Sequence, residues 1–397
     1  MYISSLKQSC LNGGGCTSWV CKNITKEGIR MTKTLIKAPF KADHVGSLLR
    51  PQSIHDARKQ FAEGAITAEQ LRAVETEEIK RIVDKQIEVG LQAVTDGEFR
   101  RRFWHTDFME HLNGVEGYVP DHGYKFEGVE TEAYDVRVTG KVSFNPEHPH
   151  LKDFIEFKEI VGGRAVAKIT IPSPNQLFNA GIRNEDIYPD VEDFAQDIIQ
   201  AYRDALQAFY DAGCRYLQLD DVYIAGLCAS SLPFAKSDLE REKLIDLALR
   251  VVNGVLEGKP EDLIVTTHLC RGNYQSAWAF EGPYDRIAPS FFAKEKVDGF
   301  FLEYDDERSG DFKPLEHVPA GGPQVILGVF TSKTGELEDK EAIKARVEEA
   351  SKYVPLEQIC ISPQCGFAST HHGNKLTEEQ QWAKLKFIVD VAKEIWG

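Results

Sequence analysis

From residue 38 onward, short apolar runs alternate with longer stretches in which apolar residues return every three or four positions. Eight short runs read as buried strands: 39–45, 92–95, 165–171, 215–219, 263–267, 299–302, 324–329 and 358–362. The clearest helix lies between the third and fourth. There, apolar side chains fall at Val191, Phe194, Ala195, Ile198, Ile199, Tyr202, Ala205, Leu206 and Phe209, a 3.6-residue period. Asp190 is placed to cap this helix and Gly213 to stop it. Thr67 and Gln70 have capping-box spacing for an earlier helix whose inner face includes Leu71, Val74, Ile82 and Val83. Strands that are apolar throughout, joined by amphipathic helices, predict a parallel sheet covered by helices. Eight such units predict an α/β fold closed as a (β/α)8 TIM barrel, with its active site at the C-terminal strand ends. An open doubly wound sheet is the alternative, but no GxGxxG turn follows the first strand. The stretch 117–144, with its alternating YDVRVTGKVSF, predicts a β-hairpin insertion after the second strand, over the barrel mouth.

Composition narrows the class without naming the chemistry. The chain has 397 residues, ample for a large core, and a formal net charge of −15, which argues against a broad nucleic-acid or anionic-membrane surface. No run has the length of a membrane-spanning helix, and no basic start leads into an apolar signal segment. Eight Cys in such a chain point to a reducing cytoplasm, where they serve as metal ligands, reactive groups or inert core. Three of them, Cys10, Cys16 and Cys21, lie in a Gly/Ser/Thr/Asn-rich segment with no apolar face and without the spacing of a zinc clip. Residues 1–30 therefore read as a disordered extension, Met31 as a natural start, and 31–397 as a single barrel domain.

Polar residues follow the apolar runs at the same end. Ser47 follows the first, Asp96 and Glu98 the second, Asp220 and Asp221 the fourth, His268 and Cys270 the fifth, Glu303 the sixth and Cys365 the eighth. Imidazole, thiolate and carboxylate are the ligand types zinc takes in a tetrahedron. Here they are spread over roughly a hundred residues, unlike the short segments of structural clips, so they meet only through a folded sheet. The bland reading is that each is an ordinary core or strand-end residue, since free Cys is among the most buried types. Four such residues at successive strand ends favour the metal reading.

These motifs together resemble the catalytic half of cobalamin-independent methionine synthase, a zinc-containing (β/α)8 barrel, over roughly residues 38–395. The resemblance implies zinc held by His268, Cys270, Glu303 and Cys365. It implies that HVGS, ending at Ser47, contacts the homocysteine backbone, and that Glu98 of DGE and Asp220 of QLDD hold its amino group, the plainer reading of these acids being a solvated strand end or a salt bridge to Arg100–Arg102. A free thiol near pKa 8.5 is mostly protonated at neutral pH, and zinc coordination supplies the thiolate. The implied activity is 5-methyltetrahydropteroyltriglutamate–homocysteine S-methyltransferase-like, with homocysteine and a methyl donor as small-molecule partners. The donor side departs from the pattern. The family enzyme carries a second, N-terminal barrel; its seventh strand is followed by an Asp-x-His motif and its third ends in Trp. Here the matching stretches read GVFTSKTGE and TIPSPNQ. His371 and His372, or the run RRRFWHTDF after Glu98, are the residues on offer instead, with a rim role as the plainer reading. A relative using a corrinoid donor or another small thiol, and a non-enzymatic structural or redox zinc protein, are the alternatives.

Overall fold

A computed structural model of the protein describes residues 38–229, 231 and 234–397. The expected extension at 1–30 lies outside the described residues. Seven parallel strands form one sheet in the order β1 (Ala93–Val94), β6 (Val166–Pro172), β7 (Tyr216–Asp220), β8 (Ile264–Leu269), β9 (Gly299–Glu303), β10 (Gln324–Phe330) and β11 (Ile359–Pro363). Every neighbour in the sheet is also the next sheet strand in sequence, so each crossover advances by one place and the sheet curls into a half-barrel. The four intervening strands form two separate two-stranded sheets: β2 (Asn113–Tyr118) pairs antiparallel with β5 (Asp135–Ser143), and β3 (Lys125–Phe126) with β4 (Val129–Glu130).

The capping signals predicted the helices well. Thr67 and Gln70 make a reciprocal capping box at the start of the helix Ala68–Val89. Asp190 accepts the Glu192 amide at the start of Val191–Asp211, and Gly213 follows that helix with φ 96°. Phe194, Ile198, Tyr202, Ala205, Leu206 and Phe209 are all buried as their period requires, and each large one contributes roughly 1.5–3 kcal/mol. The crossovers are less regular than eight full βα units. Between β8 and β9 the described α-helix is only Phe291–Lys294, and between β9 and β10 there are only short 3-10 turns.

The first predicted strand, 39–45, is corrected by the structure. It makes a single parallel bridge, Ala42 to Ile361, with Asp43 N donating to Ile361 O (3.1 Å) and Ile361 N to Lys41 O (2.9 Å). Pro39 has no N–H to give, and the Asp43 carboxylate takes the Phe40 and His44 amides, so a side chain competes with the ladder. On its other flank, Thr95 Oγ1 donates to Gly46 O (2.6 Å) and Leu48 N to Gly97 O (3.1 Å).

The two faces of the sheet differ in a way the apolar runs conceal. Outward residues such as Ile171, Leu217, Leu219, Val265 and Leu302 pack under the helices in one core. A buried polar set includes Lys168, Tyr216, Gln218 and Thr266, with a small apolar cluster of Val45, Phe301, Ile326 and Cys360. Lys168 lies 3.4 Å from Asp43 and donates to His44 O (2.6 Å), while Tyr216 donates to Asp43 (2.8 Å). These bonds satisfy the buried charges, and they tie the 38–47 segment to β6 and β7. Among the described residues, no helix is long and apolar enough to cross a membrane.

Candidate active site

Strand register brings the strand-end residues to one level. Asp220 sits opposite Pro172 on β6 and His268 on β8, while Glu303 sits opposite Gly328 of β10. The strands run one or two residues further than expected, so Asp220, His268 and Glu303 belong to the strands themselves. Rigid strand ends suit groups that must hold a fixed geometry.

His268, Cys270 and Cys365 converge: one ligand atom from each lies within 4.8 Å of the others, and all three are buried. Neither His268 ring nitrogen has a hydrogen-bond partner. The neighbouring Cys270 thiol holds Cys365 well below the ordinary thiol range, and the same contact, with burial, pushes Cys270 well above it. Two buried thiols this close oppose each other's ionisation, and His268 is on the side that favours the Cys365 thiolate. Burial alone would lower His268, but the Cys365 sulfur, Asp220 and Glu303 raise it. Orphaned ring nitrogens and a thiol pair short of positive charge fit a thiophilic divalent cation.

Glu303 is fully buried beside this trio, but not among its converging atoms. Its Oε2 accepts the Arg271 amide (2.7 Å), and its Oε1 faces Arg308 (3.1 Å) and Lys333 (3.5 Å). Glu98 and Asp220 are in the opposite condition. Glu98 accepts a hydrogen bond from Thr170 (2.8 Å) and lies 3.6 Å from Arg101, and its Oε2 is buried with no partner. Burial raises Glu98, and it lifts Asp220 to about 7, an effect that His268 opposes and Glu98 reinforces. Glu98 also stands at φ 60°, a left-handed conformation that costs on the order of 1–3 kcal/mol for a side chain of this kind.

Their sequence neighbours are structural. Asp96 accepts the Glu98 amide (2.9 Å), and Asp221 caps the helix Val222–Cys228 through the Ile224 amide while taking Ser173 and Asn175. Ser47 packs against the loop after β11. A Cβ on Gly366 would fall 1.9 Å from Ser47 Oγ, so only glycine permits that approach.

Ser47, Glu98, Asp220, His268, Cys270 and Cys365 all line one cavity that opens to solvent. Its outer walls are aromatic: Trp104, Tyr124, Phe126, Tyr134, Tyr274 and Phe280. Tyr124, Phe126 and Tyr134 come from the segment between β2 and β5, which is held by Glu127 N donating to Trp278 O (2.8 Å). Sequence reasoning missed this chamber, because its rings come from separate loops with no common spacing. It also missed Asn273, three residues beyond Cys270, which bonds Gly366 O (2.8 Å) and braces the Cys365 loop.

Comparison with known proteins places this geometry. The family described as "Cobalamin-independent synthase, Catalytic domain" matches residues 40–394. The chain belongs to that family. Two Bacillus subtilis relatives, the uncharacterized proteins YxjG and YxjH, are 51% and 49% identical, each over 91% of this chain and 96% of their own length. A Campylobacter jejuni 5-methyltetrahydropteroyltriglutamate–homocysteine methyltransferase is 23% identical over 93% of this chain, which spans 45% of that enzyme. A Listeria monocytogenes structure, provisionally described as a vitamin-B12 independent methionine synthase, superposes with TM-score 0.75 at 46% identity, covering 91% of this chain and 99% of that one. A B12-independent methionine synthase structure from Shewanella shares the fold at TM-score 0.68 and 18% identity, covering 89% and 97%. For a member of the cobalamin-independent synthase family, methyl transfer to homocysteine is supported at family level.

Proposed function

We propose that this chain is a zinc-dependent methyltransferase that moves a methyl group to the thiol of homocysteine, forming methionine. One observation carries the reading: a His/Cys/Cys trio adjoins two buried carboxylates, Glu98 with an unpartnered oxygen and Asp220 lifted to about 7, in one pocket. Homocysteine offers both complements, a thiol for the trio and an ammonium for the carboxylates.

His268, Cys270 and Cys365 would hold zinc, with Glu303 as the fourth, exchangeable ligand. Zinc there would supply the positive charge that keeps a substrate thiol deprotonated at neutral pH. Arg308, Lys333 and the Arg271 amide give the Glu303 carboxylate a second place to rest, as a ligand that must yield requires. Glu98 and Asp220 would pair with the substrate ammonium, and Ser47 with its backbone end, aiming the sulfur into the aromatic chamber. There the sulfur–methyl bond forms as the donor's bond to that methyl breaks, and the leaving atom takes a proton. We further propose that the 38–47 segment closes the sheet as the eighth stave of a (β/α)8 barrel, with 113–143 as an insertion over its mouth. Its hydrogen bonds to Ile361 on one side and to Thr95 and Gly97 on the other support this. The five described Cys are all free, which suits the reducing cytoplasm.

A methyltetrahydrofolate-type donor follows from the family. A corrinoid donor is the second reading, and the loop after β10 favours it. In that loop Ser332 is bonded to Gln364 and Gly366 and Lys333 is committed to Asp305, so neither is offered to the chamber as a proton donor for a folate nitrogen. Zinc-loaded protein incubated with homocysteine and each donor in turn tests both. Methionine formed with either confirms the reaction and names the donor; none with any donor, from protein that binds homocysteine, contradicts it.

A further inference from the structure

A second ligand cluster sits at the rim of the chamber, apart from the thiol trio and independent of the function proposed above. Glu132 of the insertion and His371 and His372 of the loop after β11 bring one ligand atom each within 4.8 Å of the others. Both imidazole Nε2 atoms crowd the same oxygen, Glu132 Oε1, at 3.5 Å from His371 and 3.4 Å from His372. The His371 nitrogen is shielded from solvent and makes no hydrogen bond there. The other oxygen, Oε2, is taken by Arg102 (2.6 Å), which leaves Oε1 as the one presented. Thr370 Oγ1 lies 3.4 Å from His372 Nδ1, the kind of support that fixes a ligating ring with its far nitrogen outward.

We propose that Glu132, His371 and His372 form a second divalent transition-metal site, of the zinc and cobalt class, that fastens the insertion to the loop after β11. Imidazole nitrogen and carboxylate oxygen are the donors such ions take, and open positions would remain for water. Burial holds His371 down to about 4 and also lowers His372, so both rings are neutral near pH 7, the form that ligates. Arg102 opposes a cation, but its side chain is 51% exposed and its charge is screened by solvent. The placement gives the site a consequence. Thr131 and Tyr134 flank Glu132, Thr370 precedes His371, and all three line the chamber. A metal at the rim would therefore pin the aromatic wall over the thiol trio.

Metal analysis of the full chain tests this, after stripping with chelator under reducing conditions and equilibration with zinc alone. Wild type should hold two zinc per chain, while Glu132→Gln and His372→Ala should each hold one. Cobalt gives a second readout: the thiol-to-metal charge-transfer band should saturate with the first equivalent, and the second should add none. Either rim variant should weaken the second equivalent at least ~tenfold and leave that band unchanged. A single zinc in wild type, or two in both rim variants, overturns the rim site. Loss of the charge-transfer band in wild type would instead count against the thiol trio, so the two assignments fail separately.

Discussion

Two buried acidic regions lie at the same end of the sheet, and they have been treated oppositely. Glu303 is surrounded: an amide, a guanidinium and an ammonium face its two oxygens, and Asp305 and Asp306 share the two cations. Glu98 and Asp220 are less fully served: one oxygen of Glu98 is buried and unpartnered while Arg101 stands 3.6 Å from the other, and Asp220 accepts from the neutral Gln218 amide (2.7 Å). Burying a carboxylate that is not fully paired is costly, so a fold that leaves two of them incompletely paired in one pocket is arranged for a cation that arrives later. A carboxylate already satisfied belongs to the scaffold unless something stronger competes for it. Sequence position alone made these residues look equivalent; their partners separate them.

The comparison breaks most visibly at Glu303. Glu303→Leu should leave Arg308 and Lys333 under-compensated and the Arg271 amide unbonded, lowering the unfolding free energy of metal-free protein by about 3 kcal/mol in denaturant titrations. An unchanged midpoint would mean the ion pairs contribute nothing. Asp220→Asn should do the reverse. Without ligand, the variant should unfold no more easily than wild type, because it removes a buried charge whose hydrogen-bond partner is a neutral amide. Homocysteine affinity, by calorimetry, should fall by about 2 kcal/mol, roughly thirtyfold. Zinc content should stay intact; a variant that loses zinc but binds homocysteine normally would contradict the ammonium role. The smallest effect is expected at Arg308→Gln, where Lys333 remains for Glu303, with a stability loss of about 1 kcal/mol. A loss as large as that of Glu303→Leu would show that Arg308 alone carries the pairing.

Much of this was legible before any coordinates. Periodicity and caps placed the helix Val191–Asp211 and seven of the strands, because burial on one side of a regular element leaves a regular pattern. His268, Cys270 and Cys365 were legible because strand ends of a parallel sheet share a level. The 39–45 segment misled because its apolar residues suggested a ladder, while Asp43 was turned to Lys168 and Tyr216 across the inner face. The state of Glu303 was not legible, since Arg308 and Lys333 reach it from loops whose paths no local pattern encodes. The same holds for the rim, where Glu132 meets His371 and His372 from the far side of the chain.

The central claim is that the trio presents a metal to an incoming thiol, and zinc X-ray absorption on protein loaded with one equivalent tests it most directly. Two sulfur ligands are expected from Cys270 and Cys365 without substrate. With saturating homocysteine the count should rise to three, with about one proton released per site because a protonated thiol becomes a bound thiolate. Methionine, which has no thiol proton, should leave the count at two. A count that stays at two with homocysteine bound would contradict thiol activation at this metal.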